Sequence, residues 1–185
     1  MAIQLFVSTS PDLAAEREAL GQAVAELPIS VGFEIAHTQP GEAADIGEAL
    51  AFIDQCDLYV IVLGADFAAP MGIEWQRAQE AHKPTLAYVK HELHSPSAQQ
   101  ILRDASIARE AGVAWEPFES PLALKAHAIQ ALAQTLLDRG ETLGLRVDDV
   151  DGLLALLGKK SEEPSDEPDR REGAGRGGII LGREE

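Results

Sequence analysis

Apolar positions along the chain alternate between short continuous runs and helical spacings. Ile3–Val7 reads as a short buried strand, followed by Ser10 as a helix-capping hydroxyl and Pro11 at a first helical position. Leu13, Leu20, Val24 and Leu27 recur at helical spacing, and Pro28 ends that helix. Val31–Ala36 predicts a second strand. Ile46, Ala49, Leu50 and Ile53 predict a second helix whose polar face carries Asp45, Glu48 and Asp54. Leu58–Leu63 is the strongest strand, apolar on both faces as the centre of a parallel sheet requires. A loop over Gly64–Gly72, a helix over Ile73–His82 and a strand over Thr85–Val89 follow. Further on come a helix over Ser95–Ala111 and a weaker strand at Val113–Trp115. Ser120-Pro121 then opens a long helix with Leu122, Ala126, Ile129, Ala133 and Leu136 on one face. Val147–Leu157 is a last short helix with Val150, Leu153, Leu154 and Leu157 together.

Strands alternating with helices predict an α/β fold. The expected form is a five-stranded parallel flavodoxin-like sheet covered on both faces, with a short C-terminal helix and a disordered tail. The expected boundaries are a folded domain over 1–158, its last helix at about 147–158, and a linker over 159–185. That linker is rich in Pro, Glu, Ser, Asp and Gly, a composition that cannot bury enough apolar area to offset chain entropy. It ends in an apolar peptide, 177–182, in which Ile179, Ile180 and Leu181 are candidates for adding to a sheet edge or capturing a partner.

Charge narrows the partners. The chain of 185 residues carries a net charge of −16, and the body before Lys160 keeps most of it. Neutralising a phosphate backbone needs clustered Lys and Arg, so duplex nucleic acid and anionic membrane surfaces are excluded as expected partners. A lone Cys56 cannot form an internal disulfide, no leader is evident at the start, and no apolar run is long enough to span a bilayer. Together these predict a cytoplasmic protein.

In an open parallel sheet ligands bind outside the carboxyl ends of the strands, where strand order reverses. Two loops fall there. The first, Val7-Ser-Thr-Ser-Pro-Asp-Leu13, offers Ser8, Thr9 and Ser10 for a phosphate or ribose, alongside the simpler role of helix capping. The second begins at Gly64 and leads into Glu74, expected in the first turn of its helix. There its carboxylate either faces a cleft, able to stabilise or attack a developing sugar cation, or favours the helix dipole. Asp12 and Asp66 are weaker candidates to assist it. The two histidines of His91-Glu-Leu-His94 lack the further ligands of a metal site, and no metal is expected. Cys56 reads as a buried structural thiol, and His37 and His127 show no partners.

Four segments carry a resemblance. Phe6-Val-Ser-Thr-Ser-Pro-Asp-Leu-Ala-Ala-Glu-Arg17 is similar to the V-S-S-x-x-D-L-x-x-E-R signature of domain-of-unknown-function family forty sixty-two. Cys56–Gly64, Glu74-Trp-Gln-Arg-Ala78 and Lys83-Pro-Thr-Leu-Ala-Tyr-Val89 resemble its central strand, its E-[FYW]-x-x-A helix and the strand after it. The resemblance implies a TIR-like, deoxyribosyltransferase-like fold, in a family that often precedes signalling ATPase and repeat modules. It also implies two functions. One is a TIR-like signalling or protein-interaction module, of a bacterial-type conflict or defence system, that self-associates or binds a protein partner and holds NAD or another nucleotide as a small ligand. The other is an N-glycosidase or deoxyribosyl-transfer enzyme acting on NAD, nucleosides or nucleotides through Glu74. Where relatives usually carry Ser and Thr before this glutamate, the chain has Ala69-Pro-Met-Gly-Ile73, so a sugar hydroxyl would find fewer partners. The module is therefore ranked first.

Overall fold

The computed structural model describes residues 2–30, 32–37, 46–67, 69–91, 94–107 and 113–160. The element order is β1 (Ile3–Thr9), α1 (Ala14–Ala25), β2 (Phe33–His37), α2 (Ile46–Gln55), β3 (Leu58–Leu63) and α3 (Ala69–Glu80). It continues with β4 (Thr85–Lys90), α4 (Pro96–Ile107), β5 (Trp115–Phe118), α5 (Pro121–Asp138), α6 (Gly140–Leu143) and α7 (Val147–Lys160). The strands form one parallel sheet in the order β2-β1-β3-β4-β5, so the order reverses between β1 and β3. Every residue of β3 is buried, as its two apolar faces require.

Alternation along the strands divides the interior. Leu5, Val7, Val60, Val62 and Tyr88 face α1, α5 and α7, whereas Phe6, Tyr59, Ile61, Leu63 and Ala87 face α2, α3 and α4. On the second face an aromatic file runs from Phe6 through Tyr59, stacked at 5.9 Å, to Trp75 and Trp115. On the first, α1 lies against α5, and Lys125 of α5 reaches back to Glu26 at 2.6 Å.

Several expected boundaries move, each for a local reason. Ser10 does not cap α1. That helix starts at Ala14 after a turn at Pro11-Asp12, and its N-cap Leu13 has no side chain that can accept a hydrogen bond. The helix bearing Glu74 starts at Ala69 rather than Ile73, because Pro70 is tolerated in a first turn where its missing N–H is not needed. The weak strand at Val113–Trp115 is displaced to Trp115–Phe118, and Pro117, which cannot donate to a ladder, sits there on the edge strand. The fourth helix is described over Pro96–Ile107, its expected extension to Ala111 lying outside the described residues, and the last helix continues to Lys160. The short α6 carried no periodic signal; it closes on Gly144 in the left-handed conformation, φ 67°. Of the two apolar stripes near the C-terminus, Leu122 and Leu154 face solvent, while Leu124, Leu132 and Leu153 are buried. Ser120 does cap α5, accepting from the Ala123 amide at 3.2 Å.

α7 is anchored by Asp149, whose carboxylate accepts from the Ser30 amide at 2.6 Å, the Ser30 hydroxyl at 3.1 Å and the Arg146 amide at 2.9 Å. The amide of Arg146, followed by that of Ser30, holds this carboxyl below its ordinary value of 3.8. A carboxyl depressed in the folded state stabilises the fold above its unfolded pKa and loses that contribution as pH falls through the folded value. Asp149→Asn is therefore expected to flatten the loss of stability below about pH 4, read from urea midpoints between pH 3 and 6. An unchanged acid limb would remove Asp149 from that role.

Glycines in helices need not cost the same. At Gly21 of α1 an added Cβ meets nothing within 4 Å. Gly21→Ala is expected to raise stability by about 0.5–1 kcal/mol, as a urea midpoint would show.

Candidate functional site

Ser8 lies at the carboxyl end of β1, one row beyond Phe6 and on the same face as Tyr59, so it points toward α3. Because α3 begins early, Glu74 falls in its second turn, which turns the side chain inward. Glu74 is 1% exposed, and its Oε2 accepts from the Ser8 hydroxyl at 2.5 Å. The expectation of a first-turn carboxylate facing a cleft or serving the helix dipole is thereby corrected: this carboxylate is an interior group. Arg77 does not reach it. Its guanidinium forms a bidentate pair with Asp54 of α2, both contacts at 2.6 Å, and this holds the Asp54 carboxyl below its ordinary value.

Sequence reasoning missed one member of this cluster. The Tyr59 hydroxyl is buried and makes no hydrogen bond among the described residues. Burial pushes its phenol well above the ordinary range; the nearby Ser8 hydroxyl opposes that shift and the Glu74 carboxylate adds to it. The available signal was a polar-tipped aromatic inside the otherwise aliphatic run Leu58–Leu63.

The neighbouring hydroxyls are also engaged. Ser10, fully buried, donates to the Asp66 carbonyl at 2.7 Å and accepts from the Gly64 amide at 2.9 Å, which staples the first loop to the second. Thr9 points to the opposite face and accepts from Arg17 at 2.9 Å. Asp12 accepts from the Ala65 amide at 3.4 Å. Gly64 permits this approach, since a Cβ there would lie 2.6 Å from the Asp12 carboxylate and 3.0 Å from Leu13. Asp66 accepts from Ser95 at 2.7 Å, Ser97 at 2.9 Å and the Phe67 amide at 2.8 Å. These bonds, those of Ser95 and Ser97 first, keep its carboxyl below the ordinary value.

The structure thus brings Ser8, Ser10, Gly64, Asp12, Asp66 and Glu74 to one edge of the sheet but divides them. Ser8 and Glu74 form an interior pair, Ser10 and Gly64 a loop staple, and Asp66 an anchor for the start of α4. Ile179, Ile180 and Leu181 lie outside the described residues. The His127 Nδ1 lies 3.1 Å from the Glu116 carboxylate, a neighbour that sequence could not reveal, but makes no hydrogen bond to it. The Cys56 thiol is buried, which raises its pKa, and it contacts the Ile53 carbonyl at 3.2 Å. Among the described residues no group of three or more His, Cys, Asp or Glu could hold a metal ion. Among them also, no helix is long and apolar enough to cross a membrane.

The family model described as Domain of unknown function (DUF4062) matches residues 4–136. No curated protein matches the chain. Among solved structures, homoserine dehydrogenase of S. aureus at pH 7.5 aligns with TM-score 0.37 and 16% identity, over 63% of this chain and 32% of that one. The same enzyme at pH 7.0 aligns with TM-score 0.38 and 14% identity. The aligned region spans about a third of those enzymes' length.

Proposed function

This chain belongs to the DUF4062 family, and from that membership and the chemistry of the sheet's carboxyl edge we propose that it is a TIR-like signalling or protein-interaction module of a bacterial-type conflict or defence system. One observation carries the reading. The polar groups that would have to greet a nucleotide are engaged internally: Ser8 with Glu74, Ser10 with both Gly64 and Asp66, and Thr9 with Arg17. A buried hydroxyl that already has its partners gains little by exchanging them for a ligand's. In this reading the Ser8–Glu74 pair locks α3 onto β1, and the module acts through its outer surfaces and Ile179–Leu181. Incubation with NAD and a panel of nucleosides is expected to release no free base. Release that disappears in Glu74→Gln would overturn the proposal. Deleting 177–185 is expected to weaken partner capture or self-association, measured by pull-down and elution volume.

A second reading rests on Tyr59. A buried phenol without a hydrogen bond, beside a carboxylate at the point where strand order reverses, is the kind of group active sites retain. On that reading Glu74 is the nucleophile or cation stabiliser of an N-glycosidase acting on NAD, a nucleoside or a nucleotide, with Ser8 orienting it. The same assay separates the two readings.

A further inference from the structure

On the opposite face of the sheet, between α1 and α5, lies a cavity of about 340 Å³, within the size range of small-molecule sites. Its floor is the row Val7–Val60–Leu86, three aliphatic residues paired across β1, β3 and β4. One row nearer the carboxyl edge, the register aligns Thr9, Val62 and Tyr88. Tyr88 lines the cavity and is 1% exposed, and its hydroxyl makes no hydrogen bond among the described residues. Arg17 also lines it. Its Nη1 donates to the Thr9 hydroxyl at 2.9 Å and the Ser10 carbonyl at 3.4 Å, both neutral acceptors. No carboxylate of the described residues pairs with Arg17, and its remaining N–H donors are left to other acceptors.

We infer that this cavity binds a small amphipathic monoanion, an apolar acid whose aliphatic body lies on Val7, Val60 and Leu86 and whose carboxylate meets Arg17 and the Tyr88 hydroxyl at the carboxyl edge. The aliphatic floor offers water no hydrogen-bond partner, so an apolar body is favoured there. At about 30 Å³ per water-sized unit, the volume accepts on the order of ten such units. An arginine whose acceptors among the described residues are all neutral is matched by an anionic head. Glu18 also lines the cavity, and its negative charge raises the cost of a dianionic head, such as a phosphate, above that of a monoanion. The site is separate from the Ser8–Glu74 pair, which lies across the sheet, and does not depend on the function proposed above.

Isothermal titration of the full chain with sodium decanoate tests it. One decanoate is expected to bind per chain, with a negative heat-capacity change from apolar burial. Arg17→Met, which keeps the aliphatic stem, is expected to weaken binding by roughly tenfold to a hundredfold, and Tyr88→Phe by roughly threefold to tenfold. Gly21 also lines the cavity and has open space beyond its Cα, so Gly21→Leu is expected to fill the site and abolish binding while α1 stays folded. Neutral decanol is expected to bind more weakly than decanoate. The inference is overturned by no saturable binding at millimolar decanoate, by equal binding to Gly21→Leu and the native chain, or by decanol binding as tightly as decanoate.

Discussion

Ser8→Ala is expected to lower the stability of this domain by roughly 1.5–3 kcal/mol, whereas Glu74→Gln costs less than about 1 kcal/mol. The Ser8 hydroxyl and the Glu74 carboxylate are both buried, at 1% exposure, and their bond is 2.5 Å long. Deleting the hydroxyl removes a donor from a buried acceptor that water cannot reach, and no solvent molecule replaces the lost bond. Glu74→Gln keeps a carbonyl oxygen for Ser8 to donate to and removes the cost of burying a charge, two effects of opposite sign. Urea unfolding of the two variants and their double mutant measures the coupling directly. Glu74→Gln proving the more damaging of the two would mean that the charge itself holds α3 in place. The same pair of variants also separates the functional readings, because an enzyme would lose activity in Glu74→Gln while keeping its midpoint.

The second large effect is expected at Gly152, in α7. A helical glycine ordinarily gains about 1 kcal/mol on replacement by alanine. Here the added Cβ would lie 2.8 Å from the Pro28 carbonyl oxygen and 3.2 Å from the nearest atom of its ring. The obstacle is backbone, so α7 has to move. That motion pulls on Leu153, fully buried beside it, and on the three bonds from Arg146 and Ser30 to Asp149. Gly152→Ala is expected to cost about 1–3 kcal/mol, and Gly158→Ala, where nothing lies within 4 Å, to gain up to about 1 kcal/mol. Urea unfolding gives both numbers, and equal stabilities would remove the close approach as the reason for a glycine at 152.

How much of this was legible in the sequence depends on the range of the interaction involved. The run Leu58–Leu63 announced the central strand because a strand buried on both faces leaves no polar position. Ser120-Pro121 announced α5 because a cap is a local bond. Ser10 looked like the same signal and was not, because its hydroxyl is claimed by Gly64 and Asp66, more than fifty residues away. The wrong face chosen for Leu122 reflects a stripe that two registers fit nearly equally well. At the candidate site, the identity of Glu74, Ser8, Ser10, Asp12 and Asp66 as neighbours followed from strand order. That Glu74 points inward did not, because it depends on a helix start moved four residues by Pro70. Tyr59, Tyr88 and the Arg17 contacts are products of packing across the sheet, on which one-dimensional spacing is silent.

The pairing of α1 with α5 also governs the order in which the chain can assemble. Glu26 meets Lys125 across a sequence separation of 99 residues. Leu20, Ala23 and Val24 of α1 share one core with Leu124, Ala128 and Leu132 of α5. A nascent chain that has reached only β5 therefore holds a sheet with one face covered by α2, α3 and α4 and the other closed by α1 alone. Because α5 follows β5 directly in the chain, this half-dressed sheet lasts from the emergence of β5 until Pro121–Asp138 has followed it. The last long helix thus acts as a completion step. Until it emerges, the apolar surface that α5 will cover is open to chaperones and to self-association, and a chain truncated upstream of Pro121 is expected to aggregate, as light scattering would show.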